Sequence, residues 1–324
     1  MLRAVRKLSW VVVAALAIGA CGIAGADRVL SIDAVGAVAG VVFLDFDRSR
    51  DLNAPDRPMA GVRVGLLLEG SVDTAFTAVS NAQGEFALNA IPVGSYVFVV
   101  DRITVGDTVD VVRIDTSQVT LGPDALASVT VAVSFPIVSV ASARAETVGK
   151  RLFVEGIATT DLGIFGDSTL HLADGTSAIR ALRVQPASVV AGDSVRLLGS
   201  VGSRNGQPVL EAVTVTLLSS TTTLPPPGGV STATAATADG ARLDAALVRV
   251  QAATITDTAT VGTNFVLTVD DGSGVLQVVL DGNLGLDTTP FEPTVVIDAV
   301  GVLVPTGTGV WQLNPRSVQD LIVR

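Results

Sequence analysis

Short runs in which apolar and polar residues alternate, separated by turn-forming residues, occupy most of the chain after residue 38. Such runs cover residues 39–44, 60–66, 85–88 and 91–100. Alternation with a period of two places the apolar side chains on one face of a pleated strand. Residues 80–84 read Ser-Asn-Ala-Gln-Gly, a turn whose glycine accepts a positive φ. The pattern predicts a β-sandwich over residues 36–137.

A second pattern follows the sandwich and occurs twice. Residues 145–220 and 239–324 each contain five strand-like runs, and an Asp-Gly turn joins the second run to the third. Two copies indicate a duplicated unit, and five short strands in this order predict a small Greek-key barrel. The segment between them, residues 221–238, is rich in Pro, Thr, Gly and Ala and predicts a linker.

Composition supports β structure and bears on the partner. Among 324 residues there are ten Phe, two Trp and one Tyr, 48 % of the chain is hydrophobic, and the net charge is −10. A chain this acidic repels phosphate, and from residue 246 onward Arg249, Arg316 and Arg324 are the cations. We therefore expect no nucleic-acid partner, and we expect Trp311 to fill the interior of the last barrel.

The N-terminus has the features of an export signal over residues 1–26. Arg3, Arg6 and Lys7 precede an apolar run that is too short to span a bilayer. Residues 18–21 read Ile-Gly-Ala-Cys and resemble a bacterial lipobox, which predicts lipidation of Cys21 and a membrane-anchored protein of the cell envelope. The alternative is ordinary cleavage after Ala26, which would leave the protein secreted or periplasmic.

Residues 45–56 combine more oxygen-bearing side chains at regular spacing than any other stretch. The oxygen donors fall at positions one, three, five, seven, nine and twelve of this loop: Asp45, Asp47, Ser49, Asp51, Asn53 and Asp56. This alternation lets a tight loop turn each second side chain onto a hard cation, so the spacing predicts a calcium site on a hairpin.

Two residues depart from the usual calcium loop. Arg50 stands where such loops have glycine for a sharp turn, and Asp56 replaces the longer glutamate that closes the shell. The alternative interpretation is an acidic, solvated hairpin loop in which Asp and Asn side chains cap their own backbone.

Residues 36–135 resemble the B-type repeat domains of Gram-positive surface adhesins, the SdrD B-like and Cna B-type family, and more distantly the carboxypeptidase regulatory-like domains. The resemblance rests on Gly40-Val41-Val42, the acidic loop, and residues 58–64, 81–86 and 91–96. In that family the acidic loop holds calcium and the domain is a stiff spacer. The resemblance therefore implies that the six oxygen-bearing residues of the loop are calcium ligands.

Both later units resemble the OB-fold domains of exported bacterial proteins, including those appended to extracellular nucleases. The similarity rests on the Asp-Gly-Ser/Thr turns, the Gly-Asp-Ser-Val-Arg stretch at residues 192–196 and the final Gly-Val-Trp of residues 309–311. The predicted fold class is all-β: one Ig-like or prealbumin-like β-sandwich followed by two OB-like five-stranded Greek-key barrels.

The sequence contains no combination of residues typical of a known catalytic site. The single histidine, His171, lies in an apolar run without a nucleophile elbow nearby, and we expect it in a barrel wall. One His and one Cys cannot build a zinc site. Asp270 and Asp271 are adjacent in a strand, so their side chains point to opposite faces and cannot flank one glycosidic bond. The chain is predicted not to be an enzyme.

These observations predict an exported, lipid-anchored, non-enzymatic surface protein that acts as a calcium-stiffened spacer and as a binding or adhesion module. Its partner would be a protein or glycan at the cell surface. Two alternatives remain open: an accessory or inhibitory subunit of an extracellular hydrolase, and a carbohydrate-binding module.

Overall fold

The computed structural model describes residues 34–220 and 223–324, and these residues form four β-sheets with three short α-helices. The predicted all-β class is confirmed. The predicted signal, residues 1–26 with the lipobox and Cys21, lies outside the described residues. Along the described chain a β-sandwich is followed by two closed barrels.

The sandwich contains nine strands and one helical turn. They are β1 Val35–Leu44, β2 Arg57–Pro58, β3 Arg63–Leu68, β4 Thr74–Val79, β5 Glu85–Pro92, β6 Gly94–Val100, α1 Arg102–Val105, β7 Asp110–Ile114, β8 Gln118–Leu121 and β9 Leu126–Ser134. One sheet has the order β2-β1-β9-β7 with β5 also on β1, and the other has the order β4-β3-β6-β8. Alternate residues of β5, such as Phe86 and Leu88, are buried against Phe98 and Val131 because side chains alternate between the faces of a strand.

The first barrel is built from one edge strand, one helix and five barrel strands. They are β10 Ile137–Val138, α2 Val140–Ala145, β11 Arg151–Ala158, β12 Leu170–Ala173, β13 Ala178–Leu182, β14 Ser194–Arg204 and β15 Gln207–Ser219. The order β11-β12-β13-β15-β14 closes through β14 back onto β11, and β13 is parallel to β15. This is the five-stranded Greek-key order of an OB-fold.

The second barrel repeats this arrangement. Its elements are β16 Gly228–Gly229, α3 Thr232–Ala236, β17 Leu247–Val261, β18 Asn264–Asp270, β19 Val275–Leu280, β20 Val296–Gly307, β21 Val310–Asn314 and β22 Leu321–Val323, with 3-10 turns at Gly282–Leu284 and Val318–Asp320. The order β17-β18-β19-β21-β20 closes onto β17, and β19 is parallel to β21. Trp311 is buried in the core of this barrel.

The duplicated unit begins earlier than the sequence pattern predicts. Part of the predicted linker, residues 221–238, belongs to the second barrel, since β16 pairs with β17 and α3 buries Ala235. The helix of each barrel has a serine N-cap, and its first N–H donates to a carboxylate of the Asp-Gly turn in the same barrel. These bonds run from Val140 N to Asp174 Oδ2 and from Thr232 N to Asp271 Oδ2. Helices of five or six residues, composed mainly of small side chains, carry too weak a periodicity to be recognised in the sequence.

Candidate functional site: a carboxylate cluster at the joint between the sandwich and the first barrel

The acidic loop connects β1 to β2, as the predicted hairpin requires. The pairs Phe43–Pro58 and Leu44–Arg57 join the two strands at its base. The run at residues 60–66, which the sequence suggested as the second arm of the hairpin, forms β3 in the opposite sheet instead. The arm is therefore only two residues long, and the loop lies at the end of the sandwich that faces the first barrel.

Three carboxylates converge in this loop. Asp45, Asp47 and Asp56 each present an oxygen, and these oxygens lie within 4.8 Å of one another. Asp45 is fully buried and accepts hydrogen bonds from the backbone N–H groups of Asp47, Arg48 and Arg50. Asp56 accepts from Phe46 N at 2.9 Å. The loop backbone thus holds the carboxylates in place by hydrogen bonds from its own amides.

The carboxylates repel one another and titrate differently. Burial raises the pKa of Asp45, and the nearby Asp56 charge raises it further, although backbone donors oppose both effects. Burial also acts to raise the pKa of Asp47, but hydrogen bonds from Ser49 and Asn53 outweigh it and hold that pKa below its ordinary value. A divalent cation among these oxygens would relieve the repulsion and favour the ionised form of each group.

The remaining predicted ligands divide into two groups. Ser49 Oγ lies 2.9 Å from Asn53 Nδ2, which is also 3.3 Å from Asp47 Oδ2, so both side chains border the carboxylate cluster. Asp51 departs from the predicted ligand set because its exposed carboxylate pairs with Arg113 Nη1 at 2.9 Å. The physical cause is non-local, since Arg113 comes from β7, 62 residues further along the chain.

Arg50 adopts the conformation that the sequence pattern would assign to glycine. Its φ is 68°, and Arg48 has φ 59°, both in the left-handed region. The departure at this position therefore does not prevent the sharp turn of the loop. The turn also directs the Arg48 side chain toward the next domain, where Nη2 donates to Phe135 O at 2.9 Å.

The same loop forms the contact between the sandwich and the first barrel. The ring of Phe46 meets Phe135 edge-to-face at 5.8 Å, and the Arg151 guanidinium lies 5.0 Å from the Phe46 ring centroid. Arg196 Nη1 donates to Asp47 O at 3.3 Å. Sequence reasoning missed these arginines because each reaches the loop from another domain.

The donor set fits a hard cation. Every group that converges is a carboxylate, hydroxyl or amide side chain, and hard cations such as calcium take oxygen ligands in flexible numbers. Asp45, Asp47 and Asp56 would hold the ion, with Ser49 and Asn53 at the border of the site.

Two other features bear on the predicted function. His171 lies on the outer face of the first barrel and is 1 % exposed. Within the described ranges, no helix combines the length and apolar character needed to cross a membrane.

No protein-family model and no curated protein matches the chain. Solved structures do match. The S. pombe Stn1-ten1 complex is 23 % identical over 24 % of this chain with a TM-score of 0.21, and this chain spans only 57 % of it. A murine DNA binding protein bound with ds DNA is 10 % identical over 53 % of this chain and 97 % of its own length, with a TM-score of 0.29. The Ifi202 HINa domain in complex with 20bp dsDNA is 11 % identical over 55 % of this chain and 96 % of its own, with a TM-score of 0.26.

The prediction that the protein has no nucleic-acid partner is wrong, because the matching structures include two proteins solved with double-stranded DNA. The prediction relied on net charge, whereas cations that contact phosphates can cluster on one face of an acidic chain. At TM-scores of 0.21, 0.29 and 0.26 the likeness says nothing further about this chain.

Proposed function

We propose that the chain is an exported, non-enzymatic surface protein that acts as a spacer and binding module, stiffened by calcium at the joint between its sandwich and its first barrel. One observation carries the proposal: the three converging carboxylates belong to the loop that contacts the next domain. A cation bound there would order the loop and the joint together.

The coupling runs through the backbone of the loop. Asp45 and Asp47 flank Phe46, whose ring contacts Phe135, and the carbonyl of Asp47 accepts from Arg196 of the first barrel. Holding the two carboxylates therefore fixes groups that touch the neighbouring domain. Calcium supplies charge compensation, and the joint loses freedom because a ligand that binds the ordered state stabilises that state.

The proposal places the protein on the bacterial cell envelope through a lipid on Cys21. Support comes from the basic residues, the short apolar run and the lipobox-like residues 18–21. A protein or glycan partner would then be bound away from the membrane surface by the barrels.

Hydrogen exchange of the purified protein tests the stiffening. With calcium, the amides of residues 45–56 and 135–138 should exchange more slowly than in chelator, because both sides of the joint are ordered together. Amides of the second barrel are the internal control and should not change. Calcium-independent exchange at the joint would contradict the proposal.

A further inference from the structure

A polar cavity lies between the two barrels, at the opposite side of the first barrel's sheet from its core. Its volume is about 620 Å³, and it is open to solvent on one side. Both barrels supply polar side chains to its wall, among them His171, Arg180 and Arg204 from the first barrel and Asn264, Gln312 and Asn314 from the second. A cavity of this size and polarity suits a small polar ligand.

His171 and Arg180 form the floor of this cavity. They sit opposite each other on the paired strands β12 and β13, and both point out of the barrel because their neighbours Leu172 and Ile179 point into its core. The second barrel covers them, which leaves His171 1 % and Arg180 6 % exposed. Phe165 of the first barrel meets the His171 ring edge-to-face at 6.1 Å, so residues of both barrels surround these two outward-facing polar side chains.

Several polar atoms of these two side chains lack hydrogen-bond partners. Within the described part of the chain, Nδ1 and Nε2 of His171 and Nε and Nη2 of Arg180 make no hydrogen bond. Native proteins satisfy the great majority of buried polar atoms, and an unpaired buried guanidinium is especially costly. Four such atoms in one cavity wall indicate a partner that is not part of the protein.

The nearby carboxylates are already engaged. Asp244 contacts Trp311 and Arg144, and Asp167 accepts from the backbone and hydroxyl of Thr169. Asp281, which also lines the cavity, accepts from the backbone and side-chain amides of Asn283. Burial lowers the pKa of Arg180, and the Arg204 and Arg144 charges add to this effect, while the Asp244 and Asp167 charges oppose it. Nε and Nη2 of Arg180 have no hydrogen-bond acceptor among the described residues.

The chemistry of the wall selects an oxyanion. A guanidinium presents parallel donors that match two oxygens of a carboxylate or phosphate. Burial lowers the pKa of His171 to about 3, with the Arg180 charge as a second cause, so the neutral imidazole offers one donor and one acceptor. Arg204 adds a second cation, and the amides of the second barrel add donors and acceptors for neighbouring hydroxyl groups.

We propose that this interbarrel cavity binds the oxyanion group, phosphate or carboxylate, of a small ligand, with Arg180 as its main anchor and His171 beside it. The site would be the binding part of the proposed function. It does not depend on calcium, because the acidic loop lies at the other joint of the first barrel.

Titration calorimetry of the purified protein in phosphate-free Tris chloride tests the site. The probes are inorganic phosphate, glucose 6-phosphate and glucuronate, each with calcium and with chelator. We expect saturable binding of at least one probe, equal in both conditions. Tighter binding of a sugar derivative than of phosphate would assign an organic ligand, and equal binding would assign free phosphate.

Arg180→Met should weaken binding at least about tenfold, since it removes charged hydrogen bonds. Arg102→Met, an exposed position in the sandwich, should leave binding unchanged. A merely structural arginine would also lower the melting temperature when replaced. In the same phosphate-free Tris chloride, the melting temperature of Arg180→Met should equal or exceed that of the wild type, because an unpaired buried charge is removed.

If the methionine variant does not fold, Arg180→Lys replaces it in the binding test. Lysine keeps the positive charge but lacks the planar set of donors, so this variant should bind the oxyanion probe several-fold more weakly. Absence of binding by the wild type would show that the cavity holds water only and would overturn the proposal. Unchanged binding by the Arg180 variants, or binding that requires calcium, would overturn it equally. Loss of calcium stiffening with intact oxyanion binding would contradict the spacer proposal alone.

Discussion

The indole Nε1 of Trp311 donates a hydrogen bond to Oδ1 of Asp244 at 2.8 Å, and the partner oxygen of that carboxylate lies 3.1 Å from Arg144 Nη1. Trp311 belongs to the core of the second barrel, and Arg144 belongs to α2 of the first. A single fully buried carboxylate thus joins the interior of one barrel to the helix of the other. Removing it would leave the Trp311 indole N–H unpaired and the Arg144 guanidinium without its counter-charge, with only carbonyl acceptors remaining.

Asp244→Ala should lower the free energy of unfolding of the barrels by about 3 to 5 kcal/mol, the usual cost of breaking a buried ion pair at one partner. Urea unfolding followed by Trp fluorescence measures the change. Asp239→Ala is the matched control, because Asp239 pairs with exposed Arg242 on the surface. That pair should contribute no more than about 1 kcal/mol. Equal effects of both substitutions would contradict the role given to Asp244.

Calcium should raise the melting temperature of the sandwich, and Asp47→Ala should remove most of this increase because it deletes a converging carboxylate. Asp51→Ala should preserve the increase, since Asp51 pairs with Arg113 and stands apart from the cluster. Differential scanning calorimetry with calcium and with chelator measures both variants. If Asp51→Ala abolished the calcium effect as fully as Asp47→Ala, the three-carboxylate site would be refuted.

Local features of the fold were predictable because they depend on neighbours in sequence. The Ser80–Gly84 turn is an example: Gly84 has φ 74°, and Asn81 Oδ1 accepts from the amides of Gln83 and Glu85. The alternation of apolar and polar side chains along β5 predicted a strand of the sandwich in the same way. The Asp-Gly turns were predicted from the sequence, but their second role, accepting from the N-terminus of the helix that precedes them in each barrel, was not.

The sites depend on distant residues, and there the sequence pattern was insufficient. His171 lies in an apolar run and was expected in a barrel wall, but its environment is set by a second barrel that covers the outer face. Asp51 fits the ligand spacing yet is held by Arg113. Nothing local in the sequence distinguishes Arg180 from a solvated arginine, since the residues that surround it come from distant parts of the chain.

Gly84→Ala should destabilise the sandwich more than Gly70→Ala. Both glycines have positive φ, so both variants incur the left-handed strain of about 1 to 2 kcal/mol. A Cβ at Gly84 would also lie 2.3 Å from the carbonyl oxygen of Val42, whereas at Gly70 nothing lies within 4 Å. Thermal unfolding of the two variants should therefore differ by several degrees. Equal melting temperatures would show that the turn at Gly84 can shift away from β1.

Cys21→Ser should release the protein from the membrane fraction, because acyl chains on this cysteine would be its anchor. Fractionation of expressing cells measures the distribution, and labelled palmitate should mark the wild type alone. Cys21 is the only cysteine, so no other thiol can take the label. Soluble wild-type protein that begins at Asp27 would instead establish ordinary signal cleavage.

His171 should make the folded state less stable as pH falls. Burial keeps its folded pKa at about 3, below its ordinary value of 6.5. Between these values the unfolded chain takes up a proton that the folded chain does not, so stability is complete above about pH 6.5 and declines below it. The contribution of His171 to the free energy of unfolding should therefore fall by about 2 kcal/mol between pH 7 and pH 5. This follows from the linkage relation, in which one proton is worth about 1.4 kcal/mol per pH unit.

His171→Gln keeps a polar side chain at the same place but removes the titration. Because the chain contains a single histidine, no other imidazole contributes in this pH range. Urea titration in buffer without phosphate or carboxylate measures the unfolding free energy of wild type and variant. The difference between the two should change by about 2 kcal/mol between pH 7 and pH 5. The wild type should lose stability relative to the variant on acidification. Parallel pH profiles would mean that His171 is protonated without cost in the folded protein, and that the second barrel does not bury it.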